Sequence, residues 1–471
     1  MGEQETESDD DADGGESGQD PLHVIAPSAL VGSNFSGVTV KVDLVTGHET
    51  GTPFTGSAQN GIVTLRLGKP RTRLWIAVVL TLLCVGATTT AAADRLRDAR
   101  APERTARGYA AGGAPRTLTV MTRNLYLGGD INRPIRAALN RTGPDGVLAL
   151  GHANHELRDI VRRTDFTMRS RLLAEEIAAA RPDLVGLQEV ALWRHGPIQL
   201  EQIGRPDATE IDYDFLATLL TDLAARGASY ETVQVQQESD VEAPAFTGNP
   251  FTGTAGAAED VRLTDRDVIL MRSGAGIHVE GSGGGHFGQR LEVRLGDTTF
   301  GFIRGYAWAD VAVGSAKIRF VTTHLESQSV QLARAQAEEL LSGPAGNASL
   351  STVIVCDCNS NPASPAARSA VPIGSGAAYR LITDGHGFTD LWLQEPHPTG
   401  PGNTAALSEL VNNETARFNR RIDLVLAKSA PPLQIVVNRA EVTGDVLSDR
   451  DPGSKLWPSD HAGVVIELQI G

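Results

Sequence analysis

The stretch that decides the fold is Val353-Ile-Val-Cys-Asp-Cys-Asn-Ser360, an apolar run that ends abruptly in Asp357 and Asn359. A short run of Val, Ile and Cys bounded by polar residues is typical of a buried β-strand. We therefore predict a strand over Val353–Asp357, with a carboxylate and an amide at its end. Two residues apart on an extended chain, Asp357 and Asn359 are expected to face the same side.

The same pattern, a strand that ends in polar side chains, recurs along the rest of the chain. The further motifs are Met121-Thr-Arg-Asn-Leu125, Leu187-Gln-Glu-Val190, Thr322-Thr-His-Leu-Glu326, Arg421-Ile-Asp423 and Ser459-Asp-His-Ala462. Carboxylates, amides and histidines gathered at strand ends suit metal-assisted phosphoryl chemistry, because oxygen ligands hold Mg²⁺ and titratable groups move protons. A single such motif is usually turn chemistry, so the six together carry the prediction.

Strands and helices alternate through one long unit. The apolar spacing predicts a helix over Thr164–Ala180 with a Thr N-cap, and a second helix over Gln331–Leu341. Mixed strands and helices in one unit indicate stacked layers around a shared core.

From Arg116 to Gly471 the chain resembles the endonuclease/exonuclease/phosphatase (DNase I-like) superfamily, because its six motifs occur in that family's order. The resemblance implies a four-layered α/β sandwich in which two packed mixed β-sheets are flanked by helices. It also implies hydrolysis of a phosphoric ester with Mg²⁺ as the cofactor, or alternatively Mn²⁺ or Ca²⁺.

The resemblance implies a role for each matching residue. It makes Glu189 the main metal carboxylate, with Asn124 and Asp460 in the same metal shell. It makes Asp357 the residue that orients or deprotonates the attacking water. The remaining roles are as follows: Asn359 holds the phosphate or the water, His324 contacts a phosphate oxygen, and His461 is a second histidine that is hydrogen-bonded to Asp423 and has a raised pKa.

For two further positions, a structural role is the alternative to a role at the site. Tyr306 stands where several relatives have a phosphate-contacting aromatic, but simple core packing explains it equally well. Asn403 stands where relatives place a substrate-binding amide at the rim of the site, and an ordinary loop role is the alternative. Asp390 is expected to be structural.

Cysteine is scarce, with Cys84, Cys356 and Cys358 in the whole chain. Cys356 and Cys358 are so close that we expect no disulfide between them. A soft-metal site needs a second pair, so two buried small hydrophobic residues are the favoured interpretation.

The segment 191–267 is a long insert after Glu189. Its middle, Ile211–Ala225, has helical spacing, and its later part is rich in Gly and Thr and carries Phe246 and Phe251. A mobile lid over the site is the favoured interpretation, and an aromatic contact with a lipid surface is the alternative.

The first 115 residues differ from the rest. Residues 1–20 hold nine acidic residues and no basic one, so residues 1–68 are expected to be disordered, although 36–68 could form a few weak strands. Translation from a later start is a further alternative. Residues 69–93 combine a basic flank, an apolar run and an Ala-rich exit, which is typical of a signal peptide; a membrane anchor through residues 74–93 is the alternative. Residues 94–115 are expected to be a linker.

These features predict a secreted, monomeric, metal-dependent phosphodiesterase, or one anchored to a membrane with its catalytic domain outside. The substrate class stays open between nucleic acid, phospholipid and inositol phosphate. From residue 94 onward 46 acidic residues outnumber 37 basic ones, which counts mildly against a nuclease and leaves a sphingomyelinase or phospholipase C-like enzyme as an alternative. A non-catalytic binding protein that kept the fold is a further alternative. It is disfavoured because such a protein has no need of a metal carboxylate and two site histidines together.

We expect the exported chain to begin near Asp94, because the Ala-rich exit ends at Ala93. N-terminal sequencing of the protein recovered from the culture medium checks this. Recovery of the full-length chain in the cytosol alone would contradict it.

Overall fold

The computed structural model describes residues 40–41 and 116–471, apart from 255, 296–297, 348, 364–375, 396–399 and 406. All of these described residues belong to one compact unit. The predictions for 69–93, for 94–115 and for 1–68 other than Val40–Lys41 lie outside them. Val40–Lys41 forms a short strand, in line with the alternative of weak strands.

Strands and helices alternate along the described part of the chain. The strands are β1 (Val40–Lys41), β2 (Arg116–Asn124), β3 (Leu184–Gln188), β4 (Leu192–Gly196), β5 (Glu210–Asp214), β6 (Tyr230–Phe246), β7 (Ala258–Arg272), β8 (Ile277–His286), β9 (Leu291–Leu295), β10 (Thr298–Phe302), β11 (Gly305–Val313), β12 (Ala316–His324), β13 (Ser351–Asp357), β14 (Thr389–Asp390), β15 (Asp423–Lys428), β16 (Ile435–Thr443) and β17 (Gly463–Ile470). The helices are α1 (Asn132–Ala138), α2 (Gly143–Arg163), α3 (Phe166–Ala180), α4 (Phe215–Ala225), α5 (Val330–Ser342) and α6 (Ala377–Arg380).

Within the described residues, two mixed sheets dominate. The larger has eight strands in the order β16-β17-β2-β3-β7-β4-β5, with β6 paired along the other edge of β7. The smaller has six strands in the order β14-β15-β13-β12-β11-β8. Strands β1, β9 and β10 form a separate, three-stranded sheet.

The sheets pack face to face over an apolar core. Leu118, Val120 and Ile269 of the larger sheet meet Phe320 and Val353 of the smaller one. Helices α3 and α4 cover the outer face of the larger sheet, and α5 and α6 cover that of the smaller. The molecule is therefore the four-layered α/β sandwich that the sequence predicted.

The two sheets approach each other closely at Gly186 on β3. A Cβ atom there would lie 2.3 Å from Val355 Cγ2 and 2.7 Å from Thr322 Oγ1, so the position requires glycine. Next to it the buried Gln188 bridges the sheets: its Nε2 donates to Thr322 Oγ1 at 2.8 Å, and its Oε1 accepts from Thr122 Oγ1 at 3.3 Å. This polar bridge sets the ends of the two sheets opposite one another.

Two local predictions were wrong. The N-cap of α3 is Asp165, whose side chain accepts from Met168 N at 3.1 Å, while Thr164 ends the preceding helix. Residues 210–214 form a strand rather than the first turn of α4, because Ile211 pairs with Arg194 at the sheet edge.

The insert after Glu189 is not a loop-like lid. It supplies β4, β5, β6 and α4, and the β6–β7 hairpin pairs from Tyr230 to Phe246. Asn154 of α2 donates to Ala243 O at 2.9 Å, which ties the hairpin to the helical layer. Phe246 is fully buried and Phe251 is 47% exposed, so the two do not form an aromatic pair at the surface.

Among the described residues, no helix has both the length and the apolar character that a bilayer span requires.

We expect Gly186→Ala to destabilise the protein by about 1–3 kcal/mol, because the added methyl group overpacks this close contact between the sheets. Urea unfolding followed by circular dichroism measures the change. Gly301→Ala on β10 is the matched control, since a Cβ there meets nothing within 4 Å. Equal stability of the two variants would contradict the close-approach constraint.

Candidate functional site

Three predicted site residues lie in one row across the smaller sheet. His324, the last residue of β12, is in register with Asp357 at the end of β13, and Asp357 is in register with Asp423 at the start of β15. In the facing sheet Asn124 is in register with Gln188, which precedes Glu189. Packing the sheets brings these two rows together at one edge.

Asp357 lies at the centre of this edge. Its Oδ2 accepts from Asn124 Nδ2 at 3.1 Å and lies 3.3 Å from His324 Nε2. Its Oδ1 accepts from the backbone N–H of Asn359 at 3.1 Å. Burial raises the pKa of Asp357 to about 7, against the opposing effect of His461. A carboxyl with a pKa near neutrality is suited to taking a proton.

The Asn124 amide turns its nitrogen, not its oxygen, towards Asp357. Its Oδ1 accepts from the backbone N–H of Tyr126 at 2.8 Å, which fixes the orientation of the amide. In this arrangement Asn124 orients Asp357, and its role as a metal ligand stays a prediction.

Glu189 and Asp460 are carboxylates that two separate chain segments bring to this edge. Glu189 Oε2 accepts from the backbone N–H of Leu127 at 2.7 Å. Desolvation raises the pKa of both groups, that of Asp460 to about 6, and the charge of Glu189 adds to the shift of Asp460. Neighbouring desolvated carboxylates fit a hard divalent cation, which would compensate their charge and accept oxygen ligands.

Among the described residues, two groups of side chains have ligand atoms within 4.8 Å of one another. One is Glu189, His324 and Asp357, and the other is Asp357, Asp423 and His461. The edge therefore holds side chains that could bind a metal.

His461 makes the hydrogen bond that was predicted. Its Nδ1 lies 2.8 Å from Asp423 Oδ2, and its Nε2 lies 3.9 Å from Asp357 Oδ2. Burial by itself lowers the pKa of His461, but Asp423, Asp460 and Asp357 outweigh it and raise the pKa well above its usual value. His461 is thus held as an imidazolium at neutral pH.

Asn359 lies beyond the strand and not along it. Strand β13 ends at Asp357, and Asn359 adopts a left-handed backbone with φ of 45°. Its Nδ2 donates to Leu325 O at 2.9 Å. The side chain therefore joins the ends of β12 and β13 beside Asp357.

The prediction that Cys356 and Cys358 are not bonded was wrong: they form a disulfide that brackets Asp357. Residues two apart on an extended strand are about 6.6–6.8 Å apart. Because the chain leaves the strand at Asp357, the two Cα atoms are only 5.0 Å apart, which a disulfide spans. Both cysteines are fully buried, as expected.

Tyr306 packs away from the two rows. Its ring lies 5.5 Å from that of Phe287, in the core beneath α5, which fits the packing alternative. Asn403 Nδ2 donates to Phe418 O at 3.2 Å. Asn403 lies two residues before Ala405, which pairs with His461. The role of Asn403 as a substrate-binding amide stays a prediction.

Asp390 is structural, as expected. Its carboxylate accepts from Arg421 at 2.6 and 3.1 Å and from Tyr379 Oη at 2.9 Å.

Buried arginines behind the site were missed from the sequence. Arg169 of α3 donates to Leu125 O at 2.7 Å and to Pro458 O at 3.0 Å, which ties the end of β2 to the loop before Asp460. Arg123 donates to His461 O at 2.6 Å.

Four more charged residues at the site were also missed: Arg304 and the acids Glu238, Asp265 and Asp267. The available signal was the Asp265-Arg-Asp267 segment, which directly precedes the apolar run Val268–Met271 of β7.

Comparison with known proteins gives a family match and a set of distant structures. A family model described as Endonuclease/Exonuclease/phosphatase family matches residues 153–461. No curated protein matches the sequence.

Three solved structures illustrate the similarity. An endonuclease/exonuclease/phosphatase family protein from Bacteroides thetaiotaomicron is 14% identical, with a TM-score of 0.46 over 76% of this chain and 98% of that one. A mannosyl-6-phosphatase from the same organism is 16% identical, with a TM-score of 0.43 over 74% and 99%. TDP2 from D. rerio, complexed with single-strand DNA product, is 15% identical, with a TM-score of 0.39 over 75% and 98%.

We expect Asp423→Asn to lower the pKa of His461, because the hydrogen-bonded carboxylate is the largest of the influences that raise it. NMR titration of ¹⁵N-histidine-labelled protein without divalent ions measures the shift. Asp310→Asn, which removes a carboxylate paired with Arg319, is the control and leaves His461 unchanged. An unshifted His461 in Asp423→Asn would make Asp423 a purely structural strand residue.

Proposed function

Because this chain belongs to the endonuclease/exonuclease/phosphatase family, whose members hydrolyse phosphoester bonds, we propose that it is a secreted, divalent-metal-dependent phosphodiesterase. The observation that carries the proposal is the single edge at which Glu189, Asp357 and His461 meet. A metal carboxylate, a buried carboxyl of near-neutral pKa and an imidazolium are groups that suit in-line attack of water on a phosphate ester.

Each group has a task that follows from its surroundings. Asp357, held by Asn124 and the backbone of Asn359, orients the water and takes its proton. His461, kept protonated by Asp423, stabilises the charge that develops on the phosphoryl oxygens. His324 donates a hydrogen bond to one of those oxygens.

Glu189 and Asp460 would hold the cation, with Mg²⁺ as the preferred ion and Mn²⁺ or Ca²⁺ as alternatives. The bound ion supplies Lewis-acid polarisation of the phosphoryl oxygen and eases ionisation of the water. Desolvation of the two carboxylates supports this, because both are costly to keep ionised without a compensating charge.

Secretion rests on the signal-like segment 69–93, and the disulfide between Cys356 and Cys358 adds support. Disulfides persist in oxidising compartments and are rare in the cytosol.

The substrate class is the open part of the proposal. The excess of acidic over basic residues after residue 94 disfavours a non-specific nuclease, because non-specific binding depends on contacts between basic side chains and phosphates. A panel of plasmid DNA, RNA, sphingomyelin and inositol phosphates, each without a divalent ion and with Mg²⁺, Mn²⁺ or Ca²⁺, distinguishes the classes. Turnover of none of the four in any metal would contradict the proposed activity.

We expect Glu189→Gln to lower activity on the panel substrate by at least ~100-fold and to abolish Mn²⁺ binding, while the fold survives, because the cation loses its main anionic ligand. Steady-state kinetics, calorimetric Mn²⁺ titration and circular dichroism measure the three quantities. Glu259→Gln, which removes a carboxylate paired with Arg158, is the control. Full activity in Glu189→Gln would rule out its role at the metal.

A further inference from the structure

Arg304 lies between β10 and β11 and places its guanidinium against His324. Its Nη1 is 2.8 Å from His324 Nδ1 and 3.1 Å from Asp265 Oδ2. The side chains of Arg304 and Asp265 are 12% and 5% exposed, so this contact is largely shielded from water. Arg304 lies two residues before Tyr306, and no role was predicted for it from the sequence.

The guanidinium decides which nitrogen of His324 carries the proton. Arginine has only N–H donors and no acceptor, so a hydrogen bond with Arg304 requires an unprotonated Nδ1. In a neutral imidazole the proton is then on Nε2. Nε2 points the other way, and lies 3.3 Å from Asp357 Oδ2.

Two features keep this arrangement in place. Burial by itself lowers the pKa of Arg304, but Asp265 and the neighbouring acids outweigh it and raise the pKa, so the guanidinium stays charged. Burial and that same positive charge lower the pKa of His324 well below its usual value, so its Nδ1 stays free to accept.

Two further acids, Glu238 and Asp267, are buried near Arg304, at 2% and 1% exposure. Burial raises the pKa of both carboxyls, that of Glu238 to about 11, and the charge of Arg304 opposes that rise. Because Glu238 is then protonated at neutral pH, Asp265 is the ion-pair partner of Arg304, whose Nη1 also contacts His324.

We propose that Arg304 is a positioning residue that fixes His324 as its Nε2–H tautomer, which makes His324 a hydrogen-bond donor to the phosphoryl group and excludes it from the metal shell. The donor role rests on the proposed function, whereas the tautomer does not. A metal binds an imidazole through an unprotonated nitrogen, and Arg304 occupies that nitrogen.

Excluding His324 from the metal shell narrows the choice of metal. The side chains of Glu189, His324 and Asp357 are close enough to share one ion, and a set with an imidazole suits Zn²⁺. With His324 removed from that set, carboxylate oxygens remain, and these favour Mg²⁺, Mn²⁺ or Ca²⁺.

The test reads the tautomer directly in the full chain. Long-range ¹H–¹⁵N spectra of ¹⁵N-histidine-labelled protein distinguish protonated from unprotonated ring nitrogens, and His324→Gln assigns the signal among the 11 histidines. We expect an Nε2–H tautomer in the protein without metal. One equivalent of Zn²⁺ should leave both nitrogen signals of His324 in place.

Variants test the cause. In Arg304→Gln the amide can accept as well as donate, so His324 should populate the Nδ1–H tautomer and kcat/KM should fall by ~10–100-fold. Arg304→Lys should restore the Nε2–H tautomer, because an ammonium group also only donates. Arg319→Gln is the matched control: Arg319 pairs with Asp310 and should leave His324 unchanged.

The outcomes separate this inference from the proposed function. An Nδ1–H tautomer in the wild-type protein overturns the inference whether or not the variants fold, and so does an unchanged His324 spectrum in folded Arg304→Gln. The expected tautomer in a wild-type protein that hydrolyses no phosphate ester contradicts the proposed function alone.

Discussion

The close approach of the two sheets at Gly186 is the constraint on which the site depends. The residues that would carry the chemistry lie at or just beyond the ends of separate strands of both sheets. Their distances are therefore set by the spacing between the sheets, which the missing side chain of Gly186 and the buried amide of Gln188 determine. A wider gap would leave Asp357 without its hydrogen bond from Asn124 of the opposite sheet.

Behind the site, the protein stabilises its crowded carboxylates with buried arginines that also organise the backbone. Arg169 joins two chain segments by donating to their carbonyl groups, and Arg123 does the same beside His461. Arg304 adds a direct contact with an imidazole. Each guanidinium group carries a positive charge and contacts specific partners. One side chain therefore both compensates the carboxylate charge and fixes the geometry of the groups that it contacts.

The fold and most of the site could be predicted because short apolar strands that end in polar side chains are recognisable in the sequence, and their order matches that of a known family. His324, Asp357 and Asp423 were found in this way. Arg304 and the acids near it could not, because a charged residue within a strand has the same sequence pattern whether it faces solvent or a buried cluster. The Cys356–Cys358 bond was missed because the prediction assumed a strand that continued past Asp357. The insert was wrongly interpreted as a lid, because a segment rich in Gly and Thr fits the end of a hairpin as well as a lid.

Glu189 and Asn359 both have a left-handed backbone conformation, with φ of 56° and 45°. A non-glycine residue in that conformation costs on the order of 1–3 kcal/mol, and glycine would relieve it. Laboratory evolution for heat resistance alone would therefore drive both positions towards glycine, and selection for turnover would oppose it. Comparing the variants that survive the two selections would show that stability and turnover favour different residues at these two positions.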